Sequence, residues 1–161
     1  MRWLYLIVTV IILCSVQFIA LCHLAAAPDL LIIFAVFLAL HAGLRVALLG
    51  AWLSGLFSEV CAGNERIGLL AFLLTFLVWV LCRHRDELFT EHWLTRTVIV
   101  AVVSIVCGLG NIATVYLETR TLVHWGRWEH MLTVTAWTTL SSIVLLPVFA
   151  RIRNLYRDTG G

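Results

Sequence analysis

The residues able to do chemistry in this 161-residue chain are few and scattered. Six histidines are present, and intramembrane haem needs facing histidine pairs. His41 and His84 fall toward one end of the apolar runs, and His23, His124 and His130 toward the other. Two such layers would suit two haems. Most of these residues sit at run ends, however, where an interfacial imidazole is ordinary, so no cofactor is expected. Glu59 is the only acid near an apolar helix interior, and an ionisable group inside a membrane is a functional candidate by default. The plainer reading is that its helix ends there, with Glu59 at the headgroups and open to a packing or partner role. No helix carries the two buried carboxylates an intramembrane aspartyl peptidase needs. Ser54 and Ser58 have no nearby base and read as small packing residues. Cys14, Cys22, Cys61, Cys82 and Cys107 form neither a CxxC pair nor a zinc spacing, and their odd number argues against a disulfide framework. They read as small buried apolar residues. GxSxG, P-loop and HExxH patterns are missing. The inventory favours a binding or scaffold role over an enzyme.

The elements that hold these residues are apolar throughout. Hydrophobic residues make up 62% of the chain and charged residues 12%, with a mean hydropathy of +1.02. A soluble domain is near half apolar and a quarter charged, and a disordered chain departs in the opposite direction. The composition therefore predicts an all-α integral membrane protein, a single polytopic domain over residues 1–161. A formal net charge of +2 without a basic arm excludes a nucleic-acid partner.

Six helices are expected. The apolar run from Trp3 to Ala27 is too long for a signal-peptide core and long enough to span, so it reads as a retained helix 1 with Gln17 as its one strongly polar interior residue. Pro28-Asp29 breaks the chain, and Asp29 can cap a short helix 2 over Leu30–Leu40. That helix either tilts in from one end or extends through Pro28. Helix 3 is expected over about 43–62. Gly43, Ala47, Ala51, Gly55 and Glu59 recur at steps of four, beside a second row of Gly50, Ser54, Ser58 and Ala62. Residues four apart share a helix face, and a face without bulk lets another backbone come close in lipid, which makes helix 3 the expected centre of the bundle.

Gly63–Arg66 reads as a turn and Ile67–Cys82 as helix 4. The polar stretch Arg83–Arg96 is either a hydrophilic loop or an amphipathic surface segment carrying Leu88, Phe89 and Trp93. Helix 5 is expected over Thr97–Leu117, with Asn111 hydrogen-bonding across helices. Glu118–His130 reads as an aromatic loop at headgroup level, with Trp125 and Trp128. Helix 6 covers Met131–Arg151 with Pro147 near its end, followed by a basic exit from Arg151 to Arg157.

Six spans put both termini on one side. Arg2, Arg45, Arg83, Arg85, Arg96, Arg151, Arg153 and Arg157 fall there, against Arg66, Arg120 and Arg127 opposite. Positive charge marks the cytoplasm, so both termini are expected to be cytoplasmic.

Two stretches carry a family resemblance. Ala27-Pro28-Asp29-Leu30-Leu31, continuing apolar to Leu40, resembles the Pro-Asp-Leu-Leu segment that opens helix 2 in the MreD family of bacterial rod-shape proteins. Gly50-Ala51-Trp52-Leu53-Ser54-Gly55-Leu56-Phe57-Ser58-Glu59 is similar to that family's Gly-Phe-x-x-Gly-Leu-x-x-Asp segment, with Glu59 where the aspartate is usual. Gln17 matches a polar position of helix 1, and Pro147–Arg157 resembles the closing proline and arginine-rich exit. The resemblance implies six transmembrane helices in a fold like the substrate-binding S-components of ECF vitamin transporters. It further implies a bacterial inner-membrane location and no enzyme activity. The implied partner is MreC, and through it come the polymerase RodA, a class B penicillin-binding protein and MreB filaments. The role implied is support of peptidoglycan synthesis during rod elongation.

On this reading the small-residue face of helix 3 (Gly43, Ala47, Ala51, Gly55, Glu59) and the Pro28-Asp29 corner help position MreC's membrane helix, with Gln17, Asn111 and Arg151 as further packing or partner residues and membrane lipid around the whole. The alternative is a small-molecule, vitamin-like binding component of a transporter, with Glu118, Trp125, Arg127 and Trp128 lining its site.

Overall fold

A computed structural model describes residues 2–23, 27–61, 68–84, 93–119 and 125–158. Six helices run through them: α1 (Arg2–His23), α2 (Leu30–His41), α3 (Leu44–Cys61), α4 (Leu69–Arg83), α5 (Trp93–Thr119) and α6 (Trp125–Asp158). No strand occurs among the described residues. Three of the helices contain segments long and apolar enough to cross a membrane, Leu44–Cys61, Leu94–Ala113 and Trp125–Phe149.

The centre of the bundle is α2, not α3. Every residue from Leu30 to Leu40 is buried, and α2 packs against all five other helices. A helix that is apolar on all sides has no face to offer water and goes to the middle. It does not extend through Pro28. It starts at Leu30, where Asp29 holds an extended N-cap conformation and its side chain accepts from the backbone N–H groups of Leu31 and Ile32. At the other end the Ala42 N–H closes the last turn onto the Leu38 carbonyl at 2.8 Å.

The small residues of α3 face inward as their spacing predicts. Ala47, Gly50, Ala51, Ser54, Gly55, Ser58 and Glu59 are all buried, against α4, α2 and α1. Gly43 departs from this row. It precedes the helix, is exposed, and has nothing within 4 Å of where a Cβ would stand. Gly55 is the point of closest approach. A Cβ there would lie 2.8 Å from the Ala71 backbone nitrogen and nearer still to its Cα, so the α3 and α4 backbones touch only because residue 55 has no side chain.

Outward faces carry large apolar residues. Val98, Val102, Ile105 and Leu109 line the exposed side of α5, and Leu140, Ile143, Val144 and Val148 that of α6. Such faces suit lipid rather than water. On α4, Ala71, Leu74 and Val78 point inward while Phe72, Phe76 and Trp79 point out, a division at the helical period.

Other expectations shift. The segment Trp125–His130 is the first part of α6 rather than a loop, with the Trp125 indole N–H donating to Glu129 at 2.8 Å one turn on. The helix continues through Pro147 to Asp158, so that proline lies inside it. Trp93 opens α5. The Gly63–Arg66 turn, Leu88 and Phe89 of the polar stretch, and residues 120–124 of the aromatic loop lie outside the described residues.

Candidate functional site

Two buried or half-buried carboxylates organise one end of the bundle. Asp29 is the first. It follows Pro28 and holds an extended conformation before an apolar run. Oδ1 accepts from the N–H groups of Leu31 and Ile32, each at 3.2 Å, and from the Gln17 amide of α1 at 3.3 Å. Oδ2 accepts from the Ser58 hydroxyl of α3 at 2.9 Å. The Asp29 backbone N–H donates to Thr138 Oγ1 of α6 at 2.9 Å. Gln17 also turns its oxygen to the Leu31 N–H at 3.3 Å. One side chain thereby joins α1, the start of α2 and α3, and its own backbone reaches α6.

This junction corrects one expectation and extends another. A carboxylate does stand beside Ser58, for which the sequence shows no nearby base. Its two oxygens receive four donors, three at Oδ1 and one at Oδ2. The arrangement is that of a cap for α2 and a strut to α1 and α3. Thr138 was not singled out in the sequence, where one threonine among many on helix 6 carries no distinguishing pattern. Ser54, one turn before Ser58, is fully buried, and its hydroxyl has no partner among the described residues.

Glu59 is the second carboxylate. It is 1% exposed, so its side chain is packed inside the bundle near the end of α3. Its oxygens accept from the backbone N–H groups of Gly68 and Leu70, each at 2.5 Å. Both lie at the N-terminus of α4, whose N-cap residue Gly68 has no side chain of its own to do this. The first N–H groups of a helix have no intrahelical partner, and a negative charge there is favoured by the helix dipole. Gly68 adopts φ +119°, a left-handed conformation open to glycine at little cost. The turn into α4 is thus set by Gly68 and held by an acid supplied from α3.

The remaining candidates separate from this site. Pro28 is half-buried beside Asp29. Ala47, Ala51 and Gly55 face inward along α3. Asn111 and Arg151 are exposed, on α5 and α6. Among the described residues no group of three or more His, Cys, Asp or Glu side chains is placed to hold a metal ion. His41 stacks on Phe37, with ring centres 4.6 Å apart. At the opposite end from the carboxylates, a cavity of about 180 Å³ lies between Ala42, Leu44, Trp79, Cys82 and Arg83.

The class defined by these features is an all-helical bundle with apolar outward faces, knitted at one end by two carboxylates that cap helices. No family model, curated protein or solved structure matches the chain.

Proposed function

We propose that the chain is a non-catalytic scaffold subunit of the MreD type, with six membrane spans in an S-component-like fold. It would sit in the bacterial inner membrane with both termini cytoplasmic, and its direct partner would be an MreC-like protein. RodA, a class B penicillin-binding protein and MreB filaments would follow through that partner. The observation that carries this reading is convergence. The stretches that resemble the family, Ala27–Leu40 and Gly50–Glu59, meet through Asp29 and Ser58, and the matching Gln17 meets them there. The four donors to Asp29 come from the start of α2 and from α1 and α3, which suits a frame.

The sequence expectation that the α3 small-residue face meets a partner helix needs correcting. That face is filled by the chain's own α4, α2 and α1. Its role is to set α4. The surface offered to a partner helix is then the outward aromatic stripe of α4, Phe72, Phe76 and Trp79, which are 72%, 51% and 42% exposed.

The test is recovery of the tagged full-length chain from its own host in mild detergent, read by mass spectrometry. Enrichment of an MreC-like protein with RodA or a penicillin-binding protein is expected. Recovery of a pair of ABC ATPases with a membrane coupling subunit would overturn the reading in favour of a transporter component.

A further inference from the structure

Cys14 of α1 and Cys61 of α3 lie with their sulfurs 3.1 Å apart, both half-buried. They are 47 positions apart in sequence, so no local motif brings them together. Each stands three residues from a member of the Asp29 junction, Cys14 from Gln17 and Cys61 from Ser58, and residues three apart share a helix face. The other described cysteines differ. Cys82 gives its thiol to the Ala39 carbonyl at 3.5 Å, and Cys107 is buried.

We propose that Cys14 and Cys61 are a redox-active dithiol whose oxidation staples α1 to α3 beside the Asp29 junction. Closing the sulfurs from 3.1 Å to a covalent length of about 2.05 Å asks for a movement of about 1 Å. The oxidant is a disulfide, of a protein or a small molecule. One thiolate of the pair attacks a sulfur of that disulfide, whose S–S bond breaks and releases one thiolate, leaving a mixed disulfide on the chain. The second thiolate of the pair attacks the chain's own sulfur and releases the other thiolate. The pair loses two electrons to the oxidant, and its two protons end on the two released thiols. The loop so closed contains α2 with Gln17, Asp29 and Ser58, all the side chains of the junction except Thr138. Oxidation would therefore fix the spacing of α1 and α3 that the junction bridges. The proposal does not depend on the scaffold reading.

The test uses the full wild-type chain in detergent. It is treated with oxidised glutathione, denatured, blocked with N-ethylmaleimide and mapped by mass spectrometry. A linked pair of peptides carrying Cys14 and Cys61 is expected, with loss of maleimide at both positions and return of both after dithiothreitol. The oxidised chain should also unfold at a higher temperature than the reduced one. Cys14→Ser and Cys61→Ser should each abolish the link while leaving Cys82 and Cys107 labelled as before. Full maleimide labelling of both cysteines after oxidation overturns the proposal, as does linkage of either one to Cys22, to Cys82 or to a second molecule.

Discussion

Asp29 and Glu59 hold their partners by different chemistry, and this separates the effects of removing their charges. In Glu59→Gln the side chain keeps its shape but offers one acceptor oxygen and one amide donor. The groups facing it are the Gly68 and Leu70 backbone N–H groups, and neither can reverse. Whichever way the amide turns, one half-buried N–H meets another donor. An unsatisfied buried donor costs about 1–3 kcal/mol, and losing the anion at the start of α4 adds about 0.3–1 kcal/mol. Unfolded chains in a membrane mimic also find hydrogen-bond partners, which lowers the net loss toward about 2 kcal/mol. In Asp29→Asn the oxygen that receives Gln17, Leu31 and Ile32 is kept. The amide replaces only the oxygen facing Ser58, whose hydroxyl rotates to accept instead. Asn and Asp are equivalent N-caps, so the expected loss is under about 1 kcal/mol. The assay is reversible unfolding in mixed micelles titrated with sodium dodecyl sulfate, followed by helicity. Equal losses for the two variants would refute the reasoning, as would Glu59→Gln within about 0.5 kcal/mol of wild type.

Four further outcomes follow from the same contacts. Thr138→Val removes the acceptor of the Asp29 backbone N–H and should cost about 1–3 kcal/mol in the same titration. Ser54→Ala deletes a buried hydroxyl without a partner among the described residues and should be neutral or stabilising by up to about 1 kcal/mol; a clear loss of stability would mean the hydroxyl is used. Gly55→Ala places a Cβ 2.8 Å from the Ala71 nitrogen and should destabilise by about 1–3 kcal/mol, with Gly55→Leu preventing accumulation of folded protein on an expression gel. Phe72→Ala with Phe76→Ala should leave the unfolding titration close to wild type and reduce recovery of the MreC-like partner; unchanged recovery would remove the α4 stripe as its contact.

What the sequence reveals here is what leaves a local trace. Asp29 is legible as a cap because a proline break precedes it and an apolar run follows. Gln17 is legible because it is the one strongly polar residue inside helix 1, and the inward face of α3 because small residues repeat at the helical period. The centrality of α2 is also legible, since Leu30–Leu40 has no polar face, whereas the small residues of α3 equally suit a central helix. The hidden features are those where distant residues meet. Glu59 caps a helix it does not belong to, so no capping spacing surrounds it. Thr138 lies 109 positions from the backbone it serves, and Cys14 and Cys61 share no motif. The start of α6 is hidden because tryptophan and charge at Trp125–His130 suit a helix entering the headgroups as well as they suit a loop.

The two carboxylates answer one physical problem posed by two short helices. With 12 residues, α2 is about 18 Å long, and α4 with 15 residues is about 22 Å, against a hydrocarbon layer of about 30 Å. A helix that starts within apolar surroundings exposes backbone N–H groups where little water reaches, and such groups must be satisfied by the protein. Asp29 does this for α2 from its own N-cap, and Glu59 does it for α4 from the neighbouring helix. A proton on Glu59 would set one of its oxygens against an N–H donor at the start of α4, whereas Asp29 caps α2 through Oδ1 and keeps that cap when Oδ2 is neutral. Both acids are engaged in holding the arrangement of the helices. They also imply that the conservative pair of substitutions, Asp29→Asn kept and Glu59→Gln impaired, should be mirrored in partner recovery, because partner binding would follow the integrity of the frame rather than the charge of either residue.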